Sequence, residues 1–294
     1  MGGWTPAQLF LASEQGAWYD PSDFSTMFQD SYGTTPVTAV EQPVGLILDK
    51  SQGLVLGSEL VANGTFDAGT TGWIAGNSAS LSVVGQNLRV QHDGGNYPIA
   101  AYNISTVAGK TYMVHFSVTR GTSPNGIALR ALNLSYGSGG AQLSGSGYKT
   151  ASGDYVCVFK AVSSASHIYF IVNTQTVGTY DDVDNVSIRE LSGNHASQDT
   201  AASRPVLKET GTVRRINFDD VDDKLTTTFP NLGTNVTIAR AIPGVGASIL
   251  AGQTIAAGAW DDLTNHAGLV IINRALTSPE TALVTAYLNA KAGV

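Results

Sequence analysis

Apolar and polar residues alternate with a period of two through the middle of the chain. The runs ASLSVVGQNLRVQH, KTYMVHFSVTR, YVCVFKAV, HIYFIVN and DNVSIRE all show it, and Gly-, Ser- or Asn-rich turns separate them. Strands at this spacing with no helix between them predict a β-sandwich or jelly roll. This body opens at ELVANGTFDAGTTGW and closes at TYDDVDNVSIRE, and it is read as residues 58–190. The flanks follow another pattern. Val44 to Leu48 predicts a short buried strand, and VRRINFDDVDDKLTTTF predicts two short strands around an acidic turn. TNVTIARAI and HAGLVIINRAL are further strands, the second nearly continuous in apolar residues and therefore central. Residues 1–57 hold too few apolar side chains for a core of their own. The simplest account joins 1–57 with 191–294 as one module that 58–190 interrupts.

Two helices are predicted. Thr5, Pro6 and Gln8 carry the signals of a capped helix over 5–15 that Gly16 stops, leaving Leu9, Phe10 and Leu11 either to dock on a partner or to pack on their own domain. Thr277 and Glu280 form a capping box at the other end, with Pro279 in the first turn. Ala282, Leu283, Ala286, Tyr287 and Ala290 then recur at helical spacing and predict the face that meets a sheet.

Composition narrows the classes. Hydrophobic residues make up 43%, charged residues 13%, and Gly alone counts 33, which suits many short strands with tight turns and excludes a disordered chain. The formal net charge of -7, with no basic patch, argues against nucleic acid as a partner. Cys157 is the one cysteine, which excludes an internal disulfide or a thiolate zinc site, and its alternating surroundings predict a buried structural thiol. No apolar run reaches the roughly 18 residues of a membrane span, and the first residues lack a secretory signal pattern. If the protein reaches the outside of a cell it does so by another route, of which cell lysis would be one.

A resemblance enters with AWYDPSDFSTMFQDSYGTTPVTAVEQPVGLILDKS, GNHASQDTAASRPVL, INFDDVDDKLTT and RALTSPETALVTAYLNAKAGV. Together they resemble a module of phage virion proteins whose fold looks like a concanavalin-A or laminin-G sandwich. In that family the DKS element runs within a few residues into GNHA. Here Asp49-Lys50-Ser51 and Gly193-Asn194-His195-Ala196 stand about 140 residues apart, so the resemblance itself implies an insertion. Only about 50 residues separate positions 219–223 from the terminal helix, which implies either a reduced sandwich or one completed by a neighbouring subunit. The ends of the insert resemble carbohydrate-binding jelly rolls appended to glycanases. The expected class is therefore all-β: a jelly-roll β-sandwich inserted into a reduced lectin-like β-sandwich, with short N- and C-terminal helices.

Candidate chemistry follows. Asp181, Asp182, Asp184 and Asn185 form an acidic turn that could hold a cation. The carbohydrate-binding resemblance implies a structural Ca2+ held by Asn63 and Asp67 at the start and Asp184 at the end; the plain alternative has Asp184 capping a turn. Asp219, Asp220, Asp222 and Asp223 form a second acidic cluster, best explained as a hydrogen-bonded turn. Sugar stacking needs aromatic faces, and Trp73, Tyr97, Tyr102, Tyr136 and Tyr148 lie in or near loops. Tyr97 is the best exposed candidate, whereas Trp73 in such jelly rolls more often packs in the core. His92, His115, His167, His195 and His266 are scattered with no catalytic motif, so no enzyme is expected. The resemblance implies a bacteriophage structural protein located in the virion, of capsid-decoration or head-fibre type, contacting other virion proteins as a homotrimer and touching host surface glycan. The alternatives are a tail or baseplate receptor-binding protein and, more remotely, a polysaccharide depolymerase.

Overall fold

The computed structural model describes residues 3–294, with the side chains of all but Ser144. Two compact units emerge: an outer unit of residues 3–55 and 192–294, and an inserted unit, Leu56–Leu191. Both are antiparallel β structures, and the protein is all-β apart from its C-terminal helix and short 3-10 turns.

The inserted unit is a jelly-roll sandwich. One sheet orders the strands Gly153–Lys160, Thr111–Thr119, Tyr180–Leu191, Asn87–His92 and Ala79–Val84, with Leu56–Glu59 added on Tyr180–Leu191. The other orders Gln142–Gly145, Ile127–Asn133, Ala165–Val172, Ile99–Ser105 and Ile74–Gly76. Strict alternation in Asn87–His92 and Thr111–Thr119 sends Leu88, Val90, Val114 and Phe116 inward to meet Leu129, Ile168 and Phe170 of the facing sheet. Cys157 is buried in this core, as expected. The unit begins and ends on paired strands, with Leu56 opposite Leu191 and Glu59 opposite Arg189. Just outside them, the Ser192 N–H donates to the Val55 carbonyl at 3.0 Å.

The outer unit packs a four-stranded sheet (Gly16–Tyr19, Leu269–Ile272, Gly233–Ile242, Gly246–Ile255) against a five-stranded one (Met27–Phe28, Leu46–Ile47, Ala196–Ser197, Leu225–Phe229, Gly258–Asp262). Each sheet mixes strands from both sides of the insert: Gly16–Tyr19 pairs Leu269–Ile272, and Leu46–Ile47 pairs Ala196–Ser197. The 269–272 strand is interior, which accounts for its unbroken apolar run. Tyr19, Met27, Ile47, Phe229 and Ile271 fill the space between the sheets.

The far face of the four-stranded sheet is covered by the helix Ser278–Ala292. Its capping box forms: the Glu280 N–H reaches the Thr277 hydroxyl, and the Thr277 N–H donates to the Glu280 carboxylate at 2.8 Å. The buried face differs from the expected one. Val284, Leu288 and Ala292 point inward, while Leu283 is 42% exposed. Alanine and leucine lie all round this helix, so the sheet it meets selects the face.

The N-terminal expectation also needs correction. Only Pro6–Phe10 form a 3-10 turn, Thr5 makes no side-chain cap, and Leu9 and Phe10 are buried in the cluster with Trp18, Val284 and Leu288. Leu11 alone stays outside, 82% exposed. A left-handed Ser13 (φ 80) reverses the chain before a longer helix can form.

The two halves of the interrupted motif meet at Asp49. Its buried carboxylate accepts from the N–H groups of Trp18 (2.8 Å), Ser51 (2.8 Å) and Asn194 (2.7 Å) and from the Ser51 hydroxyl (2.9 Å). The Asp49 N–H donates to His195 Nδ1 at 2.9 Å, and the Tyr19 hydroxyl donates to the Asn194 carbonyl at 2.5 Å. These contacts involve no residue of the insert. Joining Val55 directly to Ser192 is therefore expected to leave the outer unit folded, since the two are already hydrogen-bonded. A shortened chain lacking a cooperative thermal transition would refute this.

Candidate functional site

The five-stranded sheet of the inserted unit turns one face to the core and the other outward. Parity decides which side chains appear outside. Register places Gly145, Arg130, Tyr169, Ala101 and Ile74 in one cross-strand row, and Gln142, Leu132, His167 and Asn103 in the next. Ala128, Ile171, Ile99 and Gly76 make the third. Ile99, Ala101, Ala128 and Ile171 form an apolar floor, with Tyr136 and Tyr169 packed on it and only partly covered.

Tyr136 comes from the loop after Ile127–Asn133 and folds back over the sheet. Its N–H donates to Asn103 Oδ1 at 2.8 Å, and its hydroxyl lies over Gly76, where even a Cβ would stand 1.8 Å from it. His167, 3% exposed, stacks on Tyr169 with centroids 5.9 Å apart and meets Tyr136 edge-on at 5.6 Å. Its Nδ1 is 2.7 Å from the Leu134 carbonyl, which fixes the ring. The outcome is a row of aromatic rings on the outer sheet face, half-buried Tyr136 and Tyr169 on either side of a buried His167, beside the polar ends of Arg130 and Gln142. Flat rings over an apolar floor with a few polar groups suit a ligand having apolar faces and hydroxyl edges.

Sequence reasoning missed Tyr169, His167, Arg130 and Gln142 because it looked for aromatics in loops. The signal was present: in HIYFIV, His167 and Tyr169 hold the opposite parity to the core residues Ile168 and Phe170.

The predicted stacking residues divide. Tyr97 and Tyr148 are each 38% exposed, and both lie in loops at one end of this sheet. Across that end Lys149 pairs with Ile127, Ile127 with Val172, and the Val172 N–H donates to the Pro98 carbonyl. Three strand spacings thus separate the two loops, about 14 Å. Trp73 is corrected to a core residue: it is 7% exposed, packed on Phe66, Tyr102 and Phe170, with its indole N–H on the Asn63 carbonyl at 3.0 Å. Tyr102 is corrected likewise. Its ring packs against Trp73, 5.1 Å between centroids, and its hydroxyl accepts from the Ala62 N–H, so it braces the opening loop rather than facing ligand.

The implied calcium ligands are arranged as follows. Asn63 is committed to its own turn: its amide nitrogen donates to the carbonyls of Gly69 (2.9 Å) and Thr71 (3.1 Å), and its oxygen accepts from Ala68 (3.3 Å). Asp67 is exposed and accepts from the Thr65 hydroxyl at 2.7 Å. Asp184 is half-buried on Tyr180–Leu191, with one carboxylate oxygen lacking a hydrogen-bond partner. The turn and that strand meet where the Val186 N–H donates to the Gly64 carbonyl at 2.9 Å.

The expected acidic turn at 181–185 is a strand instead. Asp182 forms a two-point pair with Arg89 (2.9 Å twice), and buried Asp181 pairs with Arg120 and accepts the Gly121 N–H. Arginines on neighbouring segments neutralise both carboxylates, so no turn is needed to keep them in water. Burial raises the Asp181 carboxyl above its ordinary range despite these partners. The second cluster is a hydrogen-bonded turn, as expected. One Asp219 oxygen accepts from Val221 (2.9 Å), Asp222 (3.2 Å) and Asp223 (3.1 Å), and these backbone donors lower its carboxyl. Asp219, Asp222 and Asp223 each bring one oxygen within 4.8 Å of the others, at the surface.

No protein-family model matches the chain, and no curated protein does. Solved structures do. Among them are carbohydrate-binding modules, an α-L-arabinofuranosidase and a phage tailspike. One, described as "CBM4 structure and function", is 17% identical, with 44% of this chain and 99% of that one covered and a TM-score of 0.37. The CBM22-1 xylan-binding domain of Paenibacillus barcinonensis Xyn10C is 11% identical over 47% of this chain and 97% of its own, TM-score 0.36. The enzymatically active domain of bacteriophage CBA120 tailspike protein 4 is 12% identical, TM-score 0.36, over 45% of this chain. The match spans only 21% of that tailspike's length.

Proposed function

We propose that this chain is a bacteriophage virion structural protein whose outer unit serves as the base and whose inserted unit binds glycan. One observation carries the binding: half-buried Tyr136 and Tyr169, held by a buried His167 on an apolar floor of the outward sheet face. The virion reading rests on the motif halves that meet at Asp49 and resemble those of phage structural modules. The mechanism is adhesive. Weak single contacts, multiplied by copy number on a particle, give avidity without a tight individual site or a reaction. A capsid-decoration or head-fibre position, as a homotrimer, is the preferred placement; a tail or baseplate position is the alternative.

Isothermal titration of the full chain against host surface polysaccharide tests the binding. Tyr169→Ala is expected to weaken it at least about tenfold, as truncating an aromatic anchor does. Unchanged affinity in that variant would reject this face. Gold-labelled antibody against the inserted unit tests the placement. Label over the head supports the decoration reading, label at the tail tip supports the alternative, and intact particles without label refute both.

A further inference from the structure

The charges of this protein are segregated. Although the chain carries a formal net charge of -7, the only carboxylate side chain between Gly94 and Tyr180 is Asp154. That stretch supplies four of the five strands of the aromatic-bearing sheet and the loops around them. Asp154 lies on the opposite sheet and accepts from the Ser117 hydroxyl. The same stretch contains Lys110, Arg120, Arg130, Lys149 and Lys160. Lys110 is paired with Glu190, Arg120 with Asp181, and Lys149 lies over the Tyr155 ring at 4.8 Å.

Lys160 lies on the opposite sheet, and of the five only Arg130 lies on a strand of the aromatic-bearing one. Its neighbours Leu129 and Ala131 are buried in the core, so strand parity puts the guanidinium on the outer face, in the same cross-strand row as Tyr169. Among the described residues no carboxylate lies within ion-pair reach of it. Its one hydrogen-bond partner is the Gln142 amide oxygen, at a long 3.3 Å. Its register partner on the edge strand is Gly145, where the Gln142 amide takes the room a side chain would need (a Cβ would stand 2.9 Å from its nitrogen), and Tyr169 is followed by Ala101. A guanidinium is a rigid fork of donors that matches an oxyanion, and an Arg with no internal acid keeps that capacity for a ligand.

We infer that the sheet face takes an acidic saccharide, one bearing a carboxylate or sulfate, with Arg130 and the Gln142 amide on the anionic group and Tyr169 under the sugar ring. This rests on the glycan-binding reading above and specifies its ligand class. The acidic remainder of the protein repels polyanions at long range, so attraction of one must come from a local site rather than from bulk charge.

The test is an array carrying polygalacturonate, alginate and heparin beside carboxyl-reduced polygalacturonate and xylan, probed with the full chain at about 0.15 M salt. Uronate polymers are expected to bind at least about tenfold more tightly than the carboxyl-reduced polymer, the value of one charge-assisted contact. Arg130→Gln should abolish that preference and leave residual neutral binding, while Arg130→Lys should restore part of it. Binding confined to heparin would assign sulfate as the anion. Equal binding to the reduced polymer, or a preference that survives Arg130→Gln, would overturn the acidic-ligand inference and leave glycan binding standing. No binding to any member of the array would overturn the acidic-ligand inference, while the titration against host surface polysaccharide decides the glycan-binding reading.

Discussion

Replacing Asp49 by Ala is expected to cost the outer unit about 3–5 kcal/mol of unfolding free energy, enough to unfold many domains outright. The carboxylate is buried and accepts from Trp18, Ser51 and Asn194. Removing it leaves their N–H groups buried without an acceptor, each at a cost of about 1–3 kcal/mol. It also separates segments that lie on either side of the insert, because Trp18 and Ser51 precede it and Asn194 follows it. Urea denaturation of wild type and Asp49→Ala measures the difference, and a loss below about 1 kcal/mol would discount the cluster.

The same residue predicts a pH dependence. Burial raises the Asp49 carboxyl from the ordinary 3.8 to about 6, the donors from Asn194, Trp18 and Ser51 pulling it back only in part. Between those values the folded chain holds a proton that the unfolded chain has lost. The contribution is therefore fully present below 3.8 and is lost as pH rises to about 6, at most about 3 kcal/mol. Glu280 acts oppositely. Arg274 foremost holds its carboxyl down to about 2, so that contribution is present above 4.5 and fades as pH falls toward 2. Stability of the outer unit is expected to rise from pH 7 to about 5 and to fall below about 4, and the rise should be missing in Asp49→Ala.

The second large effect is at Trp73. Trp73→Ala is expected to destabilise the inserted unit by about 3–5 kcal/mol through the cavity it leaves among Phe66, Tyr102 and Phe170. Trp73→Phe keeps most of the packing and gives up only the hydrogen bond to Asn63, so it should fold and bind glycan as wild type does. If Trp73→Ala melted like wild type yet bound no glycan, the ring would be a binding platform and the core assignment would fail.

Period-two alternation was enough to identify an all-β chain and a jelly roll, because one face of each long strand is buried and the other is not. It also held the candidate face in plain view, through the parity of His167 and Tyr169 against Ile168 and Phe170. It failed where patterns were weak. The terminal helix is apolar on several sides, so sequence spacing chose Ala282 and Leu283 where packing chose Val284 and Leu288. Residues 5–15 carry the local signals of a capped helix, yet only the five-residue turn Pro6–Phe10 forms, with Leu9 and Phe10 buried by contacts distant in sequence.

By itself the amino-acid sequence determined the fold class, the capping box at Thr277 and Glu280 and the turn at Asp219, all set by residues within a few positions of one another. Only the tertiary structure decided that Asp181 and Asp182 are paired by Arg120 and Arg89. Only it made Trp73 and Tyr102 core, and left Arg130 without an acid beside Tyr169. These outcomes depend on which strands lie side by side. Register between segments distant in sequence is chosen by the burial of whole sheets, which no local pattern records.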